Sequence, residues 1–162
     1  MIKIDAVDLT SDLVQAEKAA LRLIARAEQN TSGLSQKLLK KGYDAACIQA
    51  VIEKLCETGL LDDCRYARLW LESRISCQAS SPLRLLVSLR TRGINCHDAE
   101  SALKETLDDE AELQLLHRFV QKYKRKHAQK GDDESDSGQT LKYFLRSEGF
   151  SSQAIQGYFD NP

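Results

Sequence analysis

The chain has 162 residues, with 23 Lys and Arg against 24 Asp and Glu for a formal net charge of -1, and five cysteines. That balance excludes a whole-molecule field for polyanions, so any nucleic-acid or charged partner must be read from local patches. The length suits one compact domain or a short array of small units and leaves no room for a large catalytic domain, and no apolar run approaches the ~18 residues of a membrane span.

In chain order, Met1-Ile2-Lys3-Ile4-Asp5 lacks the basic region and apolar core of an export leader, which predicts a cytoplasmic protein. Thr10-Ser11-Asp12 is a cap signal for a first long helix, whose apolar positions Leu13, Ala16, Ala20 and Ile24 share a face. A polar breaker at 28–33 separates it from a second helix carrying Leu34 and Leu38. Gly42 ends that helix, Tyr43 follows, and Asp44 caps a third helix over 45–57, with Ile48 one turn inside.

The same order returns twice. Leu61-Asp62-Asp63 opens a long helix with Tyr66, Leu69 and Trp70 as its apolar positions, and the breaker at 76–82 ends in Pro82 at a first-turn position. Leu85, Leu89, Gly93, Ile94 and Asn95 follow, then a helix over 96–107 with Ala99 one turn inside. Leu107-Asp108-Asp109 opens the last long helix, with Leu116, Phe119, Val120 and Tyr123. After a Ser/Gly-rich acidic loop at 130–138 come Leu141, Leu145, Gly149, Phe150 and Ser151, then a helix over 152–159 with Ile155.

The recurring phrase has a specific physical reading. Leucines four apart share one helix face, and a glycine after them takes the left-handed conformation at C′. The next apolar residue then touches the second leucine, as in a Schellman motif, and the cap side chain starts the following helix. The three glycines are 51 and 56 residues apart, which is the length of a three-helix unit. The expected fold is all-α: three tandem three-helix-bundle repeats, over 1–61, 62–107 and 108–162, forming an elongated, curved array.

No catalytic constellation is present. His97, His117 and His127 are isolated, and no nucleophile elbow, phosphate loop or zinc-protease motif occurs. The cysteines at 47, 56, 64, 77 and 96 form no C-x-x-C pair, so most of them read as reduced packing residues rather than disulfides or metal ligands. The chain is therefore read as a non-enzyme without cofactor or metal.

The joint between second and third helices has the outline of a DNA-binding helix-turn-helix. Its third helices are wrong for that role: Glu53 and Glu57 oppose Lys54, then Asp98, Glu100 and Glu105 oppose Lys104, and 152–159 carries no charge. Positive charge gathers elsewhere. From 64 to 107, Arg65, Arg68, Arg74, Arg84, Arg90, Arg92 and Lys104 outweigh four carboxylates by three. Arg118, Lys122, Arg125 and Lys126 share one face of the last long helix, opposite its apolar positions. These Arg and Lys residues, Lys104 excepted, are the candidate partner-binding set. Lys37, Lys40 and Lys41 make a weaker patch.

Gly59-Leu60-Leu61-Asp62-Asp63-Cys64-Arg65-Tyr66-Ala67, with Trp70 and Arg74 beyond it, resembles the G-L-[IL]-[DN]-D-x-[RA]-[YF]-A signature of the RecX family of bacterial recombinase regulators. Leu38-Leu39-Lys40-Lys41-Gly42-Tyr43 with Ile48, Val51, Ile52 and Leu55 upstream, and Leu89-Arg90-Thr91-Arg92-Gly93-Ile94 downstream, are similar to other segments of that family. The third unit matches more loosely, through Phe144, Leu145, Gly149, Phe150 and Ile155. The resemblance implies three tandem three-helix repeats and a non-enzymatic regulator. It implies binding along the groove of the RecA recombinase nucleoprotein filament, restraining ATP hydrolysis, strand exchange and filament growth. Where the family carries a basic loop before the second helix of the middle repeat, this chain has Ser76-Cys77-Gln78-Ala79-Ser80-Ser81-Pro82. That departure favours protein contacts to the recombinase by a monomer, with DNA a weaker partner. The alternative is a helical regulator acting on DNA directly.

Overall fold

A computed structural model describes residues 6–128 and 138–160, with side chains from 12 to 126 and from 138 to 160. Among the described residues there are nine helices and no strand: α1 (Ala6–Ile24), α2 (Thr31–Lys40), α3 (Ala45–Glu57), α4 (Asp63–Cys77), α5 (Pro82–Thr91), α6 (Cys96–Thr106), α7 (Asp109–Ala128), α8 (Gly138–Ser147) and α9 (Ser152–Asp160). The N-terminal pentapeptide and the acidic loop lie outside the described residues, except Gly138, which opens α8. No described helix is long and apolar enough to cross a membrane.

The three-by-three order expected from the phrase is present, and the reason is local. Gly42, Gly93 and Gly149 have φ of 89°, 88° and 89°, a region that costs an L side chain roughly 1–2 kcal/mol. Gly42 N donates to Leu39 O at 2.9 Å and Tyr43 N to Leu38 O at 3.3 Å; Gly149 N donates to Arg146 O at 3.0 Å and Phe150 N to Leu145 O at 3.2 Å. Those are the two bonds of a Schellman turn, formed at both ends of the chain. The next helices are capped as expected: the Asp44 carboxylate accepts from Ala46 N at 2.9 Å and Ser151 Oγ from Ala154 N at 3.1 Å. Asp62 and Asp108 start the long helices in the same way, accepting from Arg65 N at 2.9 Å and Ala111 N at 2.8 Å.

One boundary and one buried face differ from expectation. Helix α1 begins at Ala6, so Thr10-Ser11-Asp12 lies inside it. Nothing between Ala6 and Leu9 is a glycine or proline that would stop the helix from extending past the cap signal. On α4 the buried positions are Ala67, Leu71 and Ile75, spaced four apart, while Leu69 is exposed and Tyr66 and Trp70 are half-buried. Size is a poor guide here, because one of the two fully buried positions is filled by an alanine.

The chain groups into two compact units, one holding residues up to Tyr66 with Thr91–Asn95, the other Ala67–Arg90 with residues from Cys96 onward. The first has a core of Ala16, Ala20, Leu34, Leu38, Ile48, Val51, Leu55 and Leu61. Each fully buried leucine stabilises it by about 1.5–3 kcal/mol. In the second, Leu115, Leu116, Phe119 and Val120 of α7 are buried, as are Leu145, Phe150, Ala154 and Ile155. The Phe119 ring lies 5.3 Å from Phe150 and 6.1 Å from Phe144.

The turn glycines have a second role within each unit. A Cβ on Gly93 would overlap the Ser32 side chain, and Asn30 Nδ2 donates to Arg92 O at 2.7 Å. A Cβ on Gly149 would lie 3.2 Å from Leu83 N, which donates to Glu148 O at 3.1 Å. In both cases the C-terminal turn of a middle helix seats the N-terminus of the preceding middle helix. Gly42 has no described atom within 4 Å of that position.

Candidate partner-binding surface

Chain chemistry decides which cations are available to a partner, and the junction of α3 with α4 shows how. Of the adjacent carboxylates, Asp62 caps its own helix while Asp63 turns to α2, accepting from Thr31 N at 2.8 Å and Thr31 Oγ1 at 2.7 Å. A negative charge there is favourable against the positive end of α2. Arg65 closes the same corner. Its Nε donates to Glu28 Oε1 at 2.8 Å, and its two other nitrogens donate to Gly59 O at 3.1 Å and Leu60 O at 3.2 Å. All three guanidinium nitrogens are engaged inside the first unit.

The second unit employs its cations similarly. Arg118 donates to Ile75 O at 2.7 Å and Ser76 O at 2.9 Å, capping the last turn of α4, and Lys122 Nζ donates to Ala79 O at 3.3 Å. The expected cationic face of α7 is therefore partly turned onto the α4–α5 connection, where a positive group meets helix-terminal carbonyls. Arg68 pairs with Glu105 at 3.2 Å, Arg84 with Glu148 at 3.4 Å, and Arg74 lies over the Trp70 ring at 5.3 Å. Glu148 is also bonded by the buried Ser81 hydroxyl.

Of the expected set, Arg90 and Lys126 are exposed without a partner among the described residues, and Arg125 contacts only Gln121 O of its own helix at 3.4 Å. Arg92 is half-buried and lines a polar cleft of about 290 Å³ with Glu28, Gln29, Asn30, Lys37 and Tyr66. That cleft offers little free charge, since Glu28 is held by Arg65 and Lys37 Nζ donates to Gln29 Oε1 at 2.5 Å. The patch that looked weaker in sequence is the more open one: Lys40 and Lys41 are exposed and have no partner among the described residues, and the neighbouring Leu39 is 61% exposed. Leu39 escaped the sequence reading because it lies beside the Leu34–Leu38 stripe and repeats the look of a core residue. Tyr143, 71% exposed on α8, gave no signal either.

The cysteines also depart from expectation. Only Cys47 is buried; Cys56, Cys77 and Cys96 are exposed, so those three are not packing residues. Partial burial, and then the Asp63 and Asp62 carboxylates, raise the Cys56 thiol above its ordinary value.

Residues 16–55 match the family model for the first three-helix domain of RecX. The chain is 37% identical over 112 residues to the regulatory protein RecX of Treponema pallidum, covering 69% of this chain and 68% of that one. It is 34% identical over 137 residues to that of Pelodictyon phaeoclathratiforme, covering 85% and 82%. A crystal structure of regulatory protein RecX superposes on 99% of this chain and 80% of its own with a TM-score of 0.80 at 21% identity, a likeness of fold.

Proposed function

The chain belongs to the RecX family, and from that premise we propose that it is a non-enzymatic regulator that binds the RecA recombinase nucleoprotein filament and restrains its ATP hydrolysis, strand exchange and growth. The reading is of a cytoplasmic monomer that needs no cofactor. Its three-repeat division at residues 61 and 107 gives one small contact platform per repeat.

The observation that supports this reading is the scatter of exposed cations that have no partner outside their own helix among the described residues. Lys40 and Lys41 end α2, Arg90 lies near the end of α5, and Arg125 and Lys126 lie near the end of α7. A major-groove reader concentrates its cations on one helix. A protein that bridges repeated subunits needs a few at intervals, because several weak contacts held in one geometry add up to avidity. Arg65, Arg74, Arg84 and Arg118 then act on the partner indirectly, by fixing the helices that carry the free charges.

The test is DNA-dependent ATP hydrolysis by the cognate recombinase, followed as the chain is added. Slowing at substoichiometric amounts is expected, and unchanged hydrolysis at saturation refutes the reading.

A further inference from the structure

Two of the three middle helices end in an occupied seat. The backbone carbonyl of the residue before the turn glycine, Arg92 or Glu148, accepts a hydrogen bond from the N-terminal region of another helix: Asn30 Nδ2 at 2.7 Å, Leu83 N at 3.1 Å. The glycine itself lets that helix come close, with Ser32 against Gly93 and with Leu83 and Pro82 against Gly149. In the second seat the side chain before the glycine also selects its guest. Glu148 is bonded by Ser81, the cap of α5, and pairs with Arg84, the third residue of that helix.

The seat at the end of α2 has the same glycine conformation, a Gly42 φ of 89°, and the Schellman bonds of the Gly149 turn. No described residue donates to Lys41 O or lies within 4 Å of the Gly42 Cβ position. Leu39, Lys40, Lys41 and Gly42 are all exposed, and neither lysine has a partner among the described residues.

We propose that Leu39–Gly42 is a docking seat for the N-terminus of a helix of a partner protein bearing Asp or Glu in its first turn. Three features select that guest. The negative end of α2 faces outward, which suits the positive end of an incoming helix. Lys41 stands where Glu148 stands in the occupied seat, so the sign of the complementary first-turn residue is reversed, and Lys40 reinforces it. Leu39, 61% exposed, offers apolar surface beside the turn. The inference concerns the class of guest and stands whether or not that guest is a recombinase.

The test uses the full ¹⁵N-labelled chain and two capped, alanine-rich helical peptides, identical except that the first turn carries Glu in one and Lys in the other. Amide shifts centred on Lys41, Gly42 and Tyr43 are expected from the Glu peptide, with an apparent affinity about fivefold above that of the Lys peptide, the upper range for one exposed ion pair. Lys41→Glu is expected to invert the preference. Its fold is verified by the unchanged amide spectrum of residues outside the turn. Equal response to both peptides, response elsewhere, or none at millimolar peptide overturns the proposal. Concentration-dependent shifts at the same amides without peptide assign the seat to a second copy of the chain and overturn it as well.

Discussion

Substituting alanine at Gly42, Gly93 and Gly149 in turn separates two costs that glycine hides. All three have φ within a degree of one another, so the backbone strain is common to the series and amounts to roughly 1–2 kcal/mol. At Gly42 the added methyl meets no described atom within 4 Å, and the strain is the whole expected effect. At Gly149 the methyl would lie 3.2 Å from Leu83 N, crowding a hydrogen bond of 3.1 Å to Glu148 O, which adds about 0.5–1.5 kcal/mol. At Gly93 it would overlap the Ser32 side chain, and the helix N-terminus must move. Urea denaturation, with a slope of about 1–3 kcal/mol per molar, resolves the order Gly42 least and Gly93 most. Ser32→Gly placed beside Gly93→Ala is expected to recover part of the loss, a coupling that a double-mutant cycle reads directly. Equal destabilisation at all three positions would refute the close-approach role and leave only the turn.

Arg118→Ala is expected to lower stability by about 1–2 kcal/mol through loss of the Ile75 and Ser76 carbonyl contacts, and Arg118→Lys to restore only part of it, since an ammonium lacks the guanidinium fork; thermal unfolding of the three proteins is the check. Because its pKa is raised, Cys56 holds less thiolate than an ordinary thiol at pH 8, so mass spectrometry after brief iodoacetamide treatment should find Cys77 and Cys96 modified before Cys56, and the buried Cys47 last. Arg90→Glu with Lys126→Glu should leave the unfolding free energy within about 0.5 kcal/mol of the parent, as for surface changes generally, yet weaken inhibition of the recombinase, an effect that grows as salt is lowered.

Much of this fold is local, and local physics is what a sequence displays. The left-handed glycine after two leucines, the capping Asp44 and Ser151, and the helix starts at Asp62 and Asp108 each depend on residues within eight positions of one another. The third helices consequently fell within a residue of their observed bounds. What could not be read is tertiary reach. Asp63 looks like a cap of α4 but bonds Thr31, 32 positions away, and Arg118 looks like a solvent-facing cation but bonds carbonyls 42 and 43 positions away. Both are polar side chains whose partners lie at the ends of other helices, backbone groups among them, and such pairings carry no mark in the sequence. The Leu69 error on α4 and the overlooked Leu39 have one origin: size and hydrophobicity identify residues that suit a core, not the ones the helix rotation turns toward it.

We propose that this chain acts on a recombinase filament rather than on DNA. Co-sedimentation with RecA filaments assembled on single-stranded DNA, run beside the same DNA without recombinase at physiological salt, tests it most directly. Recovery of the chain with the filament but not with bare DNA is the predicted result; equal recovery with both, or with neither, would contradict it.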